Sequence, residues 1–94
     1  MVQVHAEPRG DGWLCSVTVD HDGVRTLHAV TVSRSDVQRW ARSGGREDVE
    51  SLVTSSFDFL LEREPPGAIL ASFDLSVIQR YFPEFESTFA KRTS

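Results

Sequence analysis

The sequence predicts an α+β fold: a three-stranded antiparallel β-meander in strand order 1-2-3, followed by helices, with the long helix 46–64 covering one sheet face. Three observations carry this. Asp22-Gly23 lies between two alternating apolar runs, and it is a pair that tolerates the positive φ both central residues of a type I′ hairpin turn require. Arg9-Gly10-Asp11-Gly12 supplies an earlier turn of the same kind. Beyond Ser33 the apolar spacing changes from a period of two to one of 3.6, the change from strand to helix.

The two turns together set the register. Closing the chain at Asp22-Gly23 places Val19 opposite Thr26, Val17 opposite His28, Cys15 opposite Val30 and Trp13 opposite Val32. Closing it at the earlier turn places Val4 opposite Val17 and Ala6 opposite Cys15. Both registers gather the apolar side chains on one face, and a slip of one residue in either would scatter them. Even positions of strand one, odd positions of strand two and even positions of strand three are therefore expected to face inward.

The helices follow in turn. Ser33 with Asp36, or Ser35 with Gln38, has the spacing of a capping box. It opens a short helix from about Asp36 to Arg42, with Val37, Trp40 and Ala41 as its apolar side, and Ser43-Gly44-Gly45 ends it. The next helix carries Val49, Leu52, Val53, Phe57, Leu60 and Leu61 on one stripe, with Glu47, Asp48 and Glu50 at its positive end. Pro65-Pro66 stops it, because a proline forces its predecessor out of helical geometry. Residues 68–71 are expected to make one helical turn. Asp74 then caps a last helix from Leu75 to Phe82, with Phe73 and Ile78 placed as a hydrophobic staple. Residues 1–85 form one domain and 86–94 are expected to be a flexible tail.

Composition narrows the function classes. A chain of 94 residues with 39% hydrophobic and 26% charged residues is an ordinary single globular domain. The net charge of −4 disfavours a general affinity for nucleic acid, which rests on clustered Lys and Arg. The one cysteine, Cys15, excludes an intramolecular disulfide and a multi-thiolate metal centre. The opening residues lack the basic region and apolar stretch of a signal peptide, and no apolar run approaches the ~20 residues that span a bilayer. The expected setting is cytoplasmic, with no membrane association. Lys occurs only at position 91, Arg fills the other basic positions and Asn is absent, the usage of a high-GC bacterial genome.

Few residues carry chemistry. Cys15 and His28 fall diagonally on neighbouring strands, and a thiolate beside an imidazole is how cysteine nucleophiles are activated. That face is the one the helices should cover, where a free cysteine behaves as a small hydrophobe. His5, His21 and His28 lie on the outer face, at the hairpin tip and on the inner face, so they do not converge on a metal. Asp58, Glu62 and Glu64 form a solvated helix side near Arg63. No P-loop, GxGxxG, GxSxG or HExxH occurs. No catalytic, metal-binding or cofactor-binding residue is expected, and no cofactor.

Arg34, Arg39 and Arg42, with Trp40 among them and Arg46 just beyond, form the sole basic concentration, where arginines could hold phosphates and the indole could stack on a base. The order of elements resembles the double-stranded-RNA-binding fold without its first helix, and also the HicB-like antitoxin domains. In RNA-binding members of the former, a basic cluster opens the long helix after the sheet. Here that stretch is Arg46-Glu47-Asp48-Val49-Glu50, of opposite sign. The resemblance covers element order, with no shared motif, and implies no function.

Aromatic residues gather in the helical half, at Phe57, Phe59, Phe73, Tyr81, Phe82, Phe85 and Phe89. A small sheet cannot hide all of them, so Tyr81, Phe82, Phe85 and Phe89 are the candidate partner interface. Strands one and three are expected to be unpaired edges, open to dimerisation. The leading expectation is a non-enzymatic protein-interaction domain, an adaptor, regulator or subunit with a protein partner or self-association. The alternatives are a nucleic-acid-binding regulator using the Arg34–Arg46 patch and a small cysteine-dependent enzyme.

Overall fold

A computed structural model describes residues 1–41 and 44–89, the last of these by its backbone alone. Strands β1 (Val2–Arg9), β2 (Gly12–His21) and β3 (Val24–Val32) form the meander. Each predicted pairing is present, from Val4 with Val17 to Trp13 with Val32. At the hairpin, Asp22 and Gly23 take φ of 53° and 78°, the positive values that the turn demands. Ala6, Cys15, Val17, Val19, Val30 and Val32 are all buried on the inward face, while Leu27 on the opposite face is 68% exposed.

Helix α1 (Arg34–Trp40) begins two residues before its expected start, capped by Ser33, whose Oγ accepts the Asp36 N–H at 3.1 Å. Helix α2 (Arg46–Leu61) lies against β1 and β2 and buries Val49, Leu52, Val53, Phe57 and Leu60. Its Ser56 is wholly buried, and the hydroxyl is satisfied by the Leu52 carbonyl one turn back at 2.7 Å. The α-helix ends four residues before Pro65, with Glu62 as its C-cap.

The sheet has four strands, which corrects the expected three. Strand β4 (Ser72–Asp74) runs parallel to β3, pairing Ala29 with Ser72, Val30 with Phe73 and Thr31 with Asp74. Flanking bonds extend the ladder: Ala29 N–H donates to the Ala71 carbonyl and Leu75 N–H to the Thr31 carbonyl, each at 2.8 Å. The edge of β3 is thus covered along this stretch, and dimerisation through it would have to displace β4. The physical reason is the unsatisfied backbone on a bare edge, which the chain meets after crossing back through α1 and α2. Crossing back in this way makes the pairing parallel. On the opposite edge, the outward Ala6 N–H donates to Glu50 Oε2 at 2.8 Å, so α2 partly covers β1 as well.

The C-terminal helices differ in detail from expectation. The turn after α2 is a short 3-10 segment at Pro66–Ala68 rather than one over 68–71. Asp74 closes a strand, and its carboxylate accepts Ser76 N–H at 3.0 Å, turning the chain into α3 (Val77–Tyr81). The last helix, α4 (Glu84–Phe89), is packed on the rest of the molecule: Phe85 is fully buried, and Glu86 accepts from Arg39 and from the Trp40 indole, each at 2.6 Å.

Candidate functional site: an apolar groove beside β4

The groove is built from segments that α2 and β4 hold apart. Phe59 and Leu60 near the end of α2 face the core, and the chain then turns at Pro65-Pro66 and returns along β3 carrying Ile69 and Leu70. His28 pins this return. A carbonyl can only accept, so the contact of 2.7 Å between His28 Nδ1 and the Leu70 carbonyl places the hydrogen on Nδ1. The other ring nitrogen meets Thr26 Oγ1 at 2.8 Å, and the ring packs on Phe57 with centroids 5.3 Å apart.

Phe73 then enters the sheet beside Val30, its ring 6.1 Å from that of Phe57, and α3 brings Val77, Ile78 and Tyr81 across from the return segment. Between them lies a groove of about 420 Å³, whose walls include Leu60, Ile69, Leu70, Phe73, Tyr81 and Phe82. Pockets for small ligands span roughly 300–1,000 Å³. Tyr81 is 70% exposed and Leu70 is 51% exposed. Glu64 adds a carboxylate to the otherwise apolar wall.

Of the four aromatics expected at an interface, Tyr81 and Phe82 line this groove. Phe85 lies in the core, edge-on to Trp40 at 5.1 Å and to Phe59 at 5.5 Å between centroids, and offers no surface to a partner. The side chain of Phe89 lies outside the described residues. Sequence reasoning did not find Leu70, Ile69 and Phe73 as groove residues. The signal available to it was an Ile69-Leu70 pair between small residues after a double proline, which is too weak to separate a groove wall from a loop.

Part of the basic concentration is tied into the fold. Trp40 is buried, with its indole N–H given to Glu86. Arg39 lies over the Trp40 ring at 5.0 Å and is paired with the same carboxylate. Arg34 is exposed on the first turn of α1, and Arg42 lies outside the described residues.

Cys15 and His28 do not make an activated pair. The thiol is buried, and that burial, reinforced by the Glu50 carboxylate, pushes its pKa up to about 11. Both ring nitrogens of His28 are engaged elsewhere. His5 and His21 lie beside Glu7 and Asp22 in exposed positions. Among the described residues, no group of three or more His, Cys, Asp or Glu side chains could hold a metal ion, and no helix is long and apolar enough to cross a membrane. Comparison with protein-family models, with curated proteins and with solved structures returns no match.

Proposed function

We propose that this chain is a small non-enzymatic interaction domain of the bacterial cytosol, acting as an adaptor, regulator or subunit, that receives an apolar anchor of a protein partner in the groove beside β4. The observation that supports it most is the pairing of a pinned backbone with exposed apolar side chains. Leu70 is half-exposed while its carbonyl is fixed by His28, and Tyr81 stands exposed across the groove. Contiguous apolar surface that folding leaves in water is the usual mark of a docking site, and preformed walls lower the cost of ordering on binding. A lone buried thiol suits a reducing compartment.

The test is affinity capture from the source cells with the wild-type chain and with a Leu70→Glu/Tyr81→Glu double variant. Both substituted positions are exposed, so the variant is expected to keep the wild-type circular dichroism and melting temperature. A partner retained by the wild type and lost by the folded variant supports the reading. Equal retention by both overturns it. The nucleic-acid alternative predicts instead a salt-sensitive complex lost in an Arg39→Glu variant, and the commitment of Arg39 to Glu86 weighs against it.

A further inference from the structure

Two aspartates far apart in sequence meet where α1 approaches the end of β4. Asp36 is 4% exposed. Its N–H donates to Ser33 Oγ, and its carboxyl group in return accepts hydrogen bonds from Ser33, the reciprocal arrangement of a capping box. The other oxygen, Oδ2, is buried and has no hydrogen-bond donor among the described residues. The Asp74 carboxyl group lies within hydrogen-bonding reach of the Asp36 carboxyl group, and it is itself an acceptor already engaged. Asp74 Oδ1 takes Ser76 N–H at 3.0 Å and Ser76 Oγ at 2.8 Å, and Oδ2 takes Thr31 Oγ1 at 3.1 Å.

Two carboxylates cannot bond each other, but a carboxylic acid can donate to a carboxylate. A proton on Asp36 Oδ2 satisfies that buried atom and completes the shell of Asp74. We propose that Asp36 and Asp74 form a proton-operated latch that seats β4 on β3. One shared proton closes it, and loss of that proton sets two charges face to face and loosens the strand that walls the groove.

The electrostatics agree with this geometry. Burial, then the Asp74 charge, raises the Asp36 pKa. Burial works the same way on Asp74, but the hydrogen bonds from Ser76, Thr31 and Asp36 outweigh it and hold Asp74 below the ordinary value. Asp74 acts on Asp36 as a charge, and Asp36 acts on Asp74 as a hydrogen-bond donor. Ser33 from the cap of α1, Thr31 from β3 and Ser76 ahead of α3 contribute hydroxyls and amides that do not titrate.

The sign follows. The folded chain holds the Asp36 proton more tightly than the unfolded chain, so this stabilisation is complete below the ordinary value of 3.8 and is lost as pH rises through the raised one. The Asp74 contribution runs oppositely: it is present above 3.8 and lost as pH falls through the lowered value. The latch is tightest between the two. It stands whether or not the groove binds a partner, because the seating of β4 is measured on the chain alone.

Asp36→Asn is the decisive variant. Its amide nitrogen is a permanent donor to Asp74, and its oxygen can still accept from Ser33. Urea unfolding from about pH 4.5 to about pH 8.5 should show the wild-type folding constant falling relative to the variant, by up to about tenfold per pH unit, until Asp36 is fully ionised in the fold. Amide exchange at Ala29 and Leu75, whose bonds join β3 to the β4 segment, should show protection lost over the same range in the wild type and kept in the variant. Parallel pH profiles for the two proteins would overturn the latch. Calcium that stabilises the wild type but not the variant near pH 8 would also overturn it, by assigning the pair to a cation. Should the variant not fold, carboxyl-carbon NMR of the wild type decides: a raised Asp36 titration supports the latch and an ordinary one refutes it.

Discussion

Phe85→Ala tests whether the C-terminal helix belongs to the folded unit. Phe85 is fully buried and touches Trp40 on α1 and Phe59 on α2, so one side chain ties α4 to both. A buried phenylalanine removes about 150–250 Å² from water. At about 25 cal/mol per Å², that corresponds to roughly 4–6 kcal/mol for the whole side chain. Alanine keeps its Cβ, and partial collapse of the cavity recovers some of the rest. The expected loss is therefore about 3–5 kcal/mol, the range observed for such truncations. A domain of this size is stable by about 5–15 kcal/mol, and 1 kcal/mol corresponds to about 4–8 °C in melting temperature. The variant should melt at least about 12 °C lower. Urea unfolding followed by Trp fluorescence is the assay, since Trp40 lies against the substituted ring. A loss below about 1 kcal/mol would refute the docking of α4 on α1 and α2. Tyr81→Ala, at a position 70% exposed, serves as the control and should change stability by no more than about 0.5 kcal/mol.

Two further outcomes follow from single positions. A Cβ at Gly12 would lie 2.3 Å from the Val32 backbone oxygen, so Gly12→Ala should cost about 1–3 kcal/mol in thermal or urea unfolding. Wild-type stability in that variant would mean that β2 and β3 do not approach as described. With its pKa pushed up to about 11, the Cys15 thiol should be about one part in a thousand thiolate near pH 8 and shielded as well. Alkylation by iodoacetamide should therefore be very slow in the native chain and rapid in urea. Fast, stoichiometric labelling of the native protein would contradict this and restore the cysteine-enzyme alternative.

The meander was legible because its determinants are local. A two-residue turn sets the pairing of the residues that flank it, and the period of two then settles which side chains face inward, as Val17 and Val30 do. The stripe of α2 was legible for the same reason, its spacing being a property of one segment. Strand β4 was missed because three residues carry too little alternation to register, and because its partner, β3, lies some forty residues earlier in the chain. Phe85 and Tyr81 are both aromatic residues in short helical segments, and their spacing cannot say which one turns inward. That is decided by where Trp40 and Phe59 stand. The groove and the Asp36–Asp74 contact are likewise products of tertiary assembly. Of the two capping boxes the sequence allowed, Ser33 with Asp36 is the one formed, but nothing near position 36 announces a carboxyl group from β4.

Amide NMR of the labelled chain with the captured partner added would test the proposed binding site most directly. Binding in the groove predicts shifts concentrated at Ile69, Leu70, Phe73 and Tyr81, with Leu27 on the far sheet face and Arg34 on α1 unmoved. Shifts centred instead on Arg34 and Arg39, or along the open side of β1, would place the partner elsewhere and contradict the proposed function.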